Sequence, residues 1–119
     1  MKIIGGRNKG KSIRTARHGV RPTKAVVRAA VFNILQDKVI KASVLDVFAG
    51  SGALGIEALC RGAEAACFIE NQPRVLLDNL DRFALRDKAQ TMTFDFRHAL
   101  KKLKGHRFDL IFLDPPYRK

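Results

Sequence analysis

From Ser43 onward the chain alternates two kinds of apolar pattern. Ser43 to Phe48, Ala65 to Ile69, Ala89 to Phe94 and Phe108 to Leu113 are short, largely apolar runs, the length of buried strands. Between them the apolar residues fall at helical spacing. Ala53 to Arg61 reads as a helix stopped by Gly62. A second helix begins near Pro73, with Leu76, Leu77, Leu80, Phe83 and Ala84 along one face. A third, basic one runs from Arg97 to Lys104 and stops at Gly105, and Asp114-Pro115-Pro116 breaks the last strand. Strands alternating with helices in this way predict an α/β domain with a parallel sheet and helices on its faces.

The first 42 residues follow another pattern. Gly5-Gly6 and Gly10 are turn signals among basic residues and two short apolar patches, Ile3-Ile4 and Ile13, which predicts a small exposed hairpin or arm. Thr23 suits a helix N-cap, and Val27, Ala30, Val31, Ile34 and Leu35 give the following helix an apolar face. The expected division is an arm over residues 1–22 and a single α/β domain over 23–119.

Charge sharpens this division. The formal net charge is +12. Nine Lys or Arg precede the first acid, Asp37, while the remaining 14 basic residues face 11 acidic ones. A basic arm on a nearly balanced body points to a polyanionic partner. At 46% hydrophobic, 119 residues can bury a core of their own. No apolar run reaches the ~18 residues that a membrane span needs, and the N-terminus has no signal-like apolar stretch. Cys60 and Cys67 make neither a disulfide framework nor a zinc site and read as small core residues, which fits a reducing cytoplasm.

The candidate chemistry lies at the ends of the strands. Asp46-Val47-Phe48-Ala49-Gly50-Ser51-Gly52-Ala53-Leu54-Gly55 leads from strand to helix. Its glycines allow close approach of backbone to a ligand, and the helix N-terminus offers free N–H groups. Glu70 stands 20 residues after Gly50, at the end of the next strand, where a carboxylate can accept both hydroxyls of a ribose. These features argue for an adenosine-containing cofactor. The spacing also matches a dinucleotide fingerprint, but Asp46 would repel a pyrophosphate. It suits S-adenosylmethionine (SAM), which carries an ammonium and a sulfonium and no phosphate. After the fourth strand, the Asp114 side chain and the Pro115 carbonyl are acceptors that a rigid Pro115-Pro116 turn can aim at one exocyclic NH₂ group. Tyr117 offers a flat face on which a base can stack.

Asp114 to Tyr117 resembles the Asp/Asn-Pro-Pro-Tyr/Phe signature of SAM-dependent amino-methyltransferases acting on nucleic-acid bases. Arg21-Pro22-Thr23, Phe32-Asn33-Ile34-Leu35, Phe48 to Leu59, Arg61-Gly62-Ala63 and Phe108 to Tyr117 together resemble the RsmD-type enzymes. That family methylates N2 of a guanine in bacterial small-subunit ribosomal RNA. The resemblance implies a Rossmann-like methyltransferase core with partial strand order 3-2-1-4 and no metal. It implies that Gly50, Ser51 and Gly52 lie along the methionine moiety and ribose of SAM with Asp46 near its ammonium, that Phe48 also contacts the cofactor, that Thr23 closes over the carboxylate end, and that Glu70 takes the ribose hydroxyls. Asp95 and Phe96 would meet the adenine, a duty for which His98 is the weaker candidate. Asp114, Pro115, Pro116 and Tyr117 would hold the target guanine, and Arg7, Lys9, Lys11, Arg14, Arg17 and Arg21 would grip the RNA backbone.

Members of that family continue past this point, with further strands completing a seven-stranded sheet. A chain of this length is therefore expected to be a shortened member with part of the base pocket missing. Its fourth strand would keep an open edge, available to a second copy. The rival readings are an adenine-N6 methyltransferase acting on DNA, a non-catalytic RNA-binding remnant of the fold, and a dinucleotide-binding oxidoreductase.

Overall fold

The four apolar runs pair into one parallel sheet of order β3-β2-β1-β4 in the computed structural model, which describes residues 2–6, 8–14, 25–93 and 95–115. The strands are β1 (Ser43–Val47), β2 (Ala65–Ile69), β3 (Ala89–Met92) and β4 (Leu110–Leu113), and the helices are α1 (Ala25–Leu35), α2 (Ala53–Cys60), α3 (Arg74–Arg82) and α4 (Phe96–Lys102). The order is the one implied by the resemblance. Several ends differ by a residue or two. Phe48 has left β1 for a positive-φ turn (φ 61), and Phe108 precedes β4. Pro73 is the N-cap of α3 rather than its first helical residue. Phe94 lies outside the described residues.

Side chains alternate across β1, so both faces of the sheet are buried and the strand reads as a continuous apolar run. Val44 joins Phe68, Ile56, Leu76, Leu80, Phe32 and Phe112 in the larger core. Leu45 and Val47 join Cys67, Ile69, Met92, Ala99 and Leu103 under α4. Cys60 and Cys67 are both buried and unbridged, and burial pushes the Cys67 thiol up to about 11, which leaves it inert. Among the described residues β3 and β4 are the sheet edges, and Ile111 and Leu113 on β4 are exposed.

Two expectations need correction. The face of α1 built from Val27, Ala30, Val31, Ile34 and Leu35 is not the inward one. Arg28 and Phe32 are buried, Val31 and Leu35 are partly covered, and Val27 and Ile34 are exposed. Arg28 occupies the inward face because the buried Glu57 carboxylate lies 3.8 Å from its Nε and its guanidinium donates to the Lys2 carbonyl. A charge supplied with partners can replace an aliphatic side chain there.

The hairpin is also not a free arm. Lys2 and Ser12 form an antiparallel bridge, Ile3 N–H donates to the Lys11 carbonyl at 2.9 Å, and Ile3 and Ile13 are buried in the larger core. Glu57 anchors it by accepting the N–H groups of Ile4 (2.7 Å) and Gly5 (2.9 Å) while holding Arg61 Nε at 2.8 Å. The side that faces solvent carries Lys9 and Lys11.

Candidate active site

Register brings the candidate residues to one end of the sheet. Val47 lies level with Ile69 on β2 and Leu113 on β4. One residue further on, Phe48, Glu70 and Asp114 therefore leave the three adjacent strands side by side, at their carboxyl ends. Open parallel sheets bind ligands at this end. A cavity of about 340 Å³ lined in part by Ser43, Ala65, Lys88 and Arg107 lies at the opposite end, where the strands begin.

The turn after β1 is held from both sides. Gly50 (φ 59) and Gly52 (φ 85) are left-handed, and Gly52 is the N-cap of α2. A Cβ on Gly52 would stand 2.4 Å from Leu76 Cδ1, so a side chain there would push Leu76 aside, and the positive φ favours glycine. Glu70 accepts the Gly50 N–H through Oε1 at 2.8 Å and the Gln72 N–H through Oε2 at 3.1 Å. A carboxylate offers about four acceptor positions, so two remain for ligand hydroxyls.

Asp46 sits beneath this turn, almost fully buried, with Oδ2 accepting the Gly55 N–H at 3.0 Å. Burial pushes its carboxyl from the usual carboxylate range up to about 7. The Gly55 hydrogen bond opposes the rise, and the charges of Asp114 and Glu70 add to it. The end of the sheet thus carries concentrated negative potential on a strongly basic protein. A cationic ligand would relieve it, and a phosphate would increase it.

Phe48 and Phe96 bring their rings together at 4.9 Å beside the turn. Asp95 is exposed and caps α4, with Oδ1 accepting the His98 N–H at 3.0 Å. Asp114 and Pro115 are exposed at the end of β4. Lys9, Lys11 and Arg14 lie on the hairpin rather than at this site. Thr23, Arg7, Arg17, Arg21, Pro116 and Tyr117 fall outside the described residues.

The sequence reasoning missed Asn79. Its side chain is completely buried and its amide donates to the Ser51 carbonyl at 2.9 Å. The signal was a lone amide on the apolar face of α3, between Leu76 and Leu80.

A parallel sheet of this order, with a Gly-rich turn after β1, an acid after β2 and Asp-Pro after β4, defines a Rossmann-like methyltransferase fold. The family described as Conserved hypothetical protein 95 matches residues 1–119, and the chain belongs to it, that is, to the RsmD family. It is 38% identical over 122 residues to Ribosomal RNA small subunit methyltransferase D of Escherichia coli (strain K12), covering 100% of this chain and 61% of that one. The Thermus thermophilus protein TTHA0928 superimposes with a TM-score of 0.87 at 32% identity, over 98% of this chain and 70% of that chain. An O-methyltransferase from Bacillus cereus solved in complex with S-adenosylhomocysteine (SAH) has a TM-score of 0.66 at 17% identity, over 78% of this chain and 46% of that chain, and so shares the fold alone. The chain spans 61–68% of the length of the first two curated relatives.

Proposed function

We propose that this chain carries the cofactor site and part of the base site of a SAM-dependent methyltransferase acting on the exocyclic N2 of a guanine in small-subunit ribosomal RNA. The observation that carries the reading is the side-by-side exit of Phe48, Glu70 and Asp114 above the buried Asp46. It supports a site for a cationic ligand next to acceptors suited to an amino group. Asp46 and the turn at Gly50, Ser51 and Gly52 would hold the methionine end of SAM, with Thr23 over its carboxylate. Glu70 would hold the ribose, and Phe48, Asp95 and Phe96 the adenine. SAM, when bound, supplies an electrophilic methyl group.

The protein's own part is positioning. The Asp114 carboxylate and the Pro115 carbonyl accept the hydrogens of the guanine amine. This localises the nitrogen lone pair and holds it for attack. Pro116 would stiffen that segment and Tyr117 would stack on the base. Arg7, Lys9, Lys11, Arg14, Arg17 and Arg21, in an arm over residues 1–22, neutralise RNA phosphates. The substrate class is supported by the name of the Escherichia coli relative, and the partner in this reading is small-subunit ribosomal RNA or its assembling particle in the cytoplasm.

Calorimetric titration with SAM, SAH and NAD tests the cofactor. Saturable SAM and SAH binding that is lost in Glu70→Ala, with no NAD binding, is the expected result. NAD binding in their place would overturn it. Transfer of a labelled methyl group to small-subunit ribosomal RNA in preference to DNA then tests the substrate.

A further inference from the structure

Asn79 of α3 is fully buried, and its side-chain amide joins two segments far apart in the sequence. Its Oδ1 accepts the Arg14 N–H at 2.9 Å and its Nδ2 donates to the Arg14 carbonyl at 2.9 Å. The side chain thereby pairs with one residue of the basic arm as a neighbouring peptide unit would. The other Nδ2 hydrogen goes to the Ser51 carbonyl, also at 2.9 Å, in the turn between β1 and α2. Both amide hydrogens are engaged, one on the arm and one on the turn. A shift of either segment would leave a polar atom unsatisfied in dry surroundings, which the interior resists. Leu76, three residues earlier on α3, closes on Gly52 in the same turn. The turn and the arm thus rest on one helix face.

We infer that Asn79 is a positioning residue that couples the basic arm to the cofactor turn, so that a ligand ordering the turn also fixes the arm that grips RNA. This rests on the cofactor reading above. By linkage the effect is reciprocal: whatever docks the arm tightens the cofactor, and whatever frees it weakens the cofactor by the same factor. The RNA-gripping surface is then fully formed only when the methyl donor is in place.

Hydrogen exchange followed by mass spectrometry, on the full chain with and without saturating SAH, tests the coupling. Two regions should exchange more slowly with SAH: residues 50–60 around the turn and residues 8–14 of the arm. In Asn79→Ala the protection around the turn persists and that in the arm is lost. A second variant, Ile13→Ala, loosens the arm where it enters the core and leaves the turn's own sequence intact. It should weaken SAH binding about 5-fold. SAH protection confined to the turn in the wild type, or an Ile13→Ala protein that binds SAH as tightly as wild type, overturns the inference. The wild-type map decides this even if Asn79→Ala fails to fold. Absence of any SAH-induced change, with no heat of binding, overturns the cofactor reading itself and the inference with it.

Discussion

The Asp46 carboxylate accepts the backbone N–H of Gly55 at 3.0 Å, tying the end of β1 to the first turn of α2. One bond thus spans the Gly-rich turn at its base, and the acid it uses is buried beneath the same backbone that Glu70 holds from above through Gly50. The turn is clamped between two carboxylates. The two acids give the turn its shape, and their charge builds the negative potential that selects a cationic ligand.

Asp46 has a folded-state pKa of about 7, above its unfolded value in the usual carboxylate range. Between about pH 4 and 7 the folded protein therefore holds a proton that the unfolded chain has released. The sign follows: stability from this group is full below pH 4, falls as pH rises to 7, and is level above. The span is on the order of 4 kcal/mol at most. Urea unfolding across pH 4–8 should show this decline in the wild type and its loss in Asp46→Asn. Affinity for SAH, whose ammonium prefers the ionised carboxylate, should run the other way and rise by up to about tenfold per pH unit below 7.

A side chain at Gly52 or Gly55 is costly, for different reasons. Gly52→Ala places a Cβ at φ 85 and 2.4 Å from Leu76 Cδ1. Gly55→Ala places one 2.3 Å from Cε1 of the fully buried Phe68. Overpacking of this kind costs about 1–3 kcal/mol, and the left-handed conformation adds about 1 kcal/mol at Gly52. Chemical denaturation should rank Gly52→Ala as the less stable of the two. Gly52→Ala should also displace the turn at Ser51, and Gly55→Ala, whose Cβ would stand 3.1 Å from Asp46 Oδ2, should press on that carboxyl, so both should weaken SAH binding.

Glu57→Gln should be the most destabilising of these changes. Its carboxylate is completely buried, accepts the N–H groups of Ile4 and Gly5, and faces Arg61 at 2.8 Å and Arg28 at 3.8 Å. Glutamine keeps the shape but leaves Arg28 buried without its counter-charge and turns an amide NH₂ toward donors. Loss of one partner of a buried pair costs about 3–5 kcal/mol. The unfolding midpoint in urea measures it, and proteolysis within residues 2–14 should accelerate with it.

Most of the fold is legible in the sequence because the sheet is buried on both faces. Runs such as Val44-Leu45 and Cys67-Phe68-Ile69 have nowhere to be but inside, and Gly62 and Gly105 mark the ends between them. The site is legible where chemistry and strand ends coincide, at Asp46, Glu70 and Asp114. The polar interior is not. Asn79 has only its place between Leu76 and Leu80 to mark it, and no local pattern marks Arg28 and Glu57 as buried, because a buried polar group makes sense only once its partners are known. Those partners, Lys2, Ile4, Gly5 and Arg14, lie tens of residues away. The arm reads as exposed for the same reason.

Lys9 and Lys11 remain on the solvent side of the docked hairpin, while Ile3 and Ile13 hold its other side in the core. Their charges thus face solvent, available to phosphates without supporting the fold. Removing one phosphate-neutralising charge from a single-strand RNA complex flattens the slope of log affinity against log salt by about 0.7. The double substitution Lys9→Gln with Lys11→Gln should therefore weaken binding to a small-subunit ribosomal RNA fragment at low salt and reduce that slope by about 1.4. It should leave the urea midpoint and SAH affinity in the absence of RNA unchanged. Fluorescence anisotropy at several salt concentrations reads the slope directly. An unchanged slope would move the RNA-gripping surface off the hairpin.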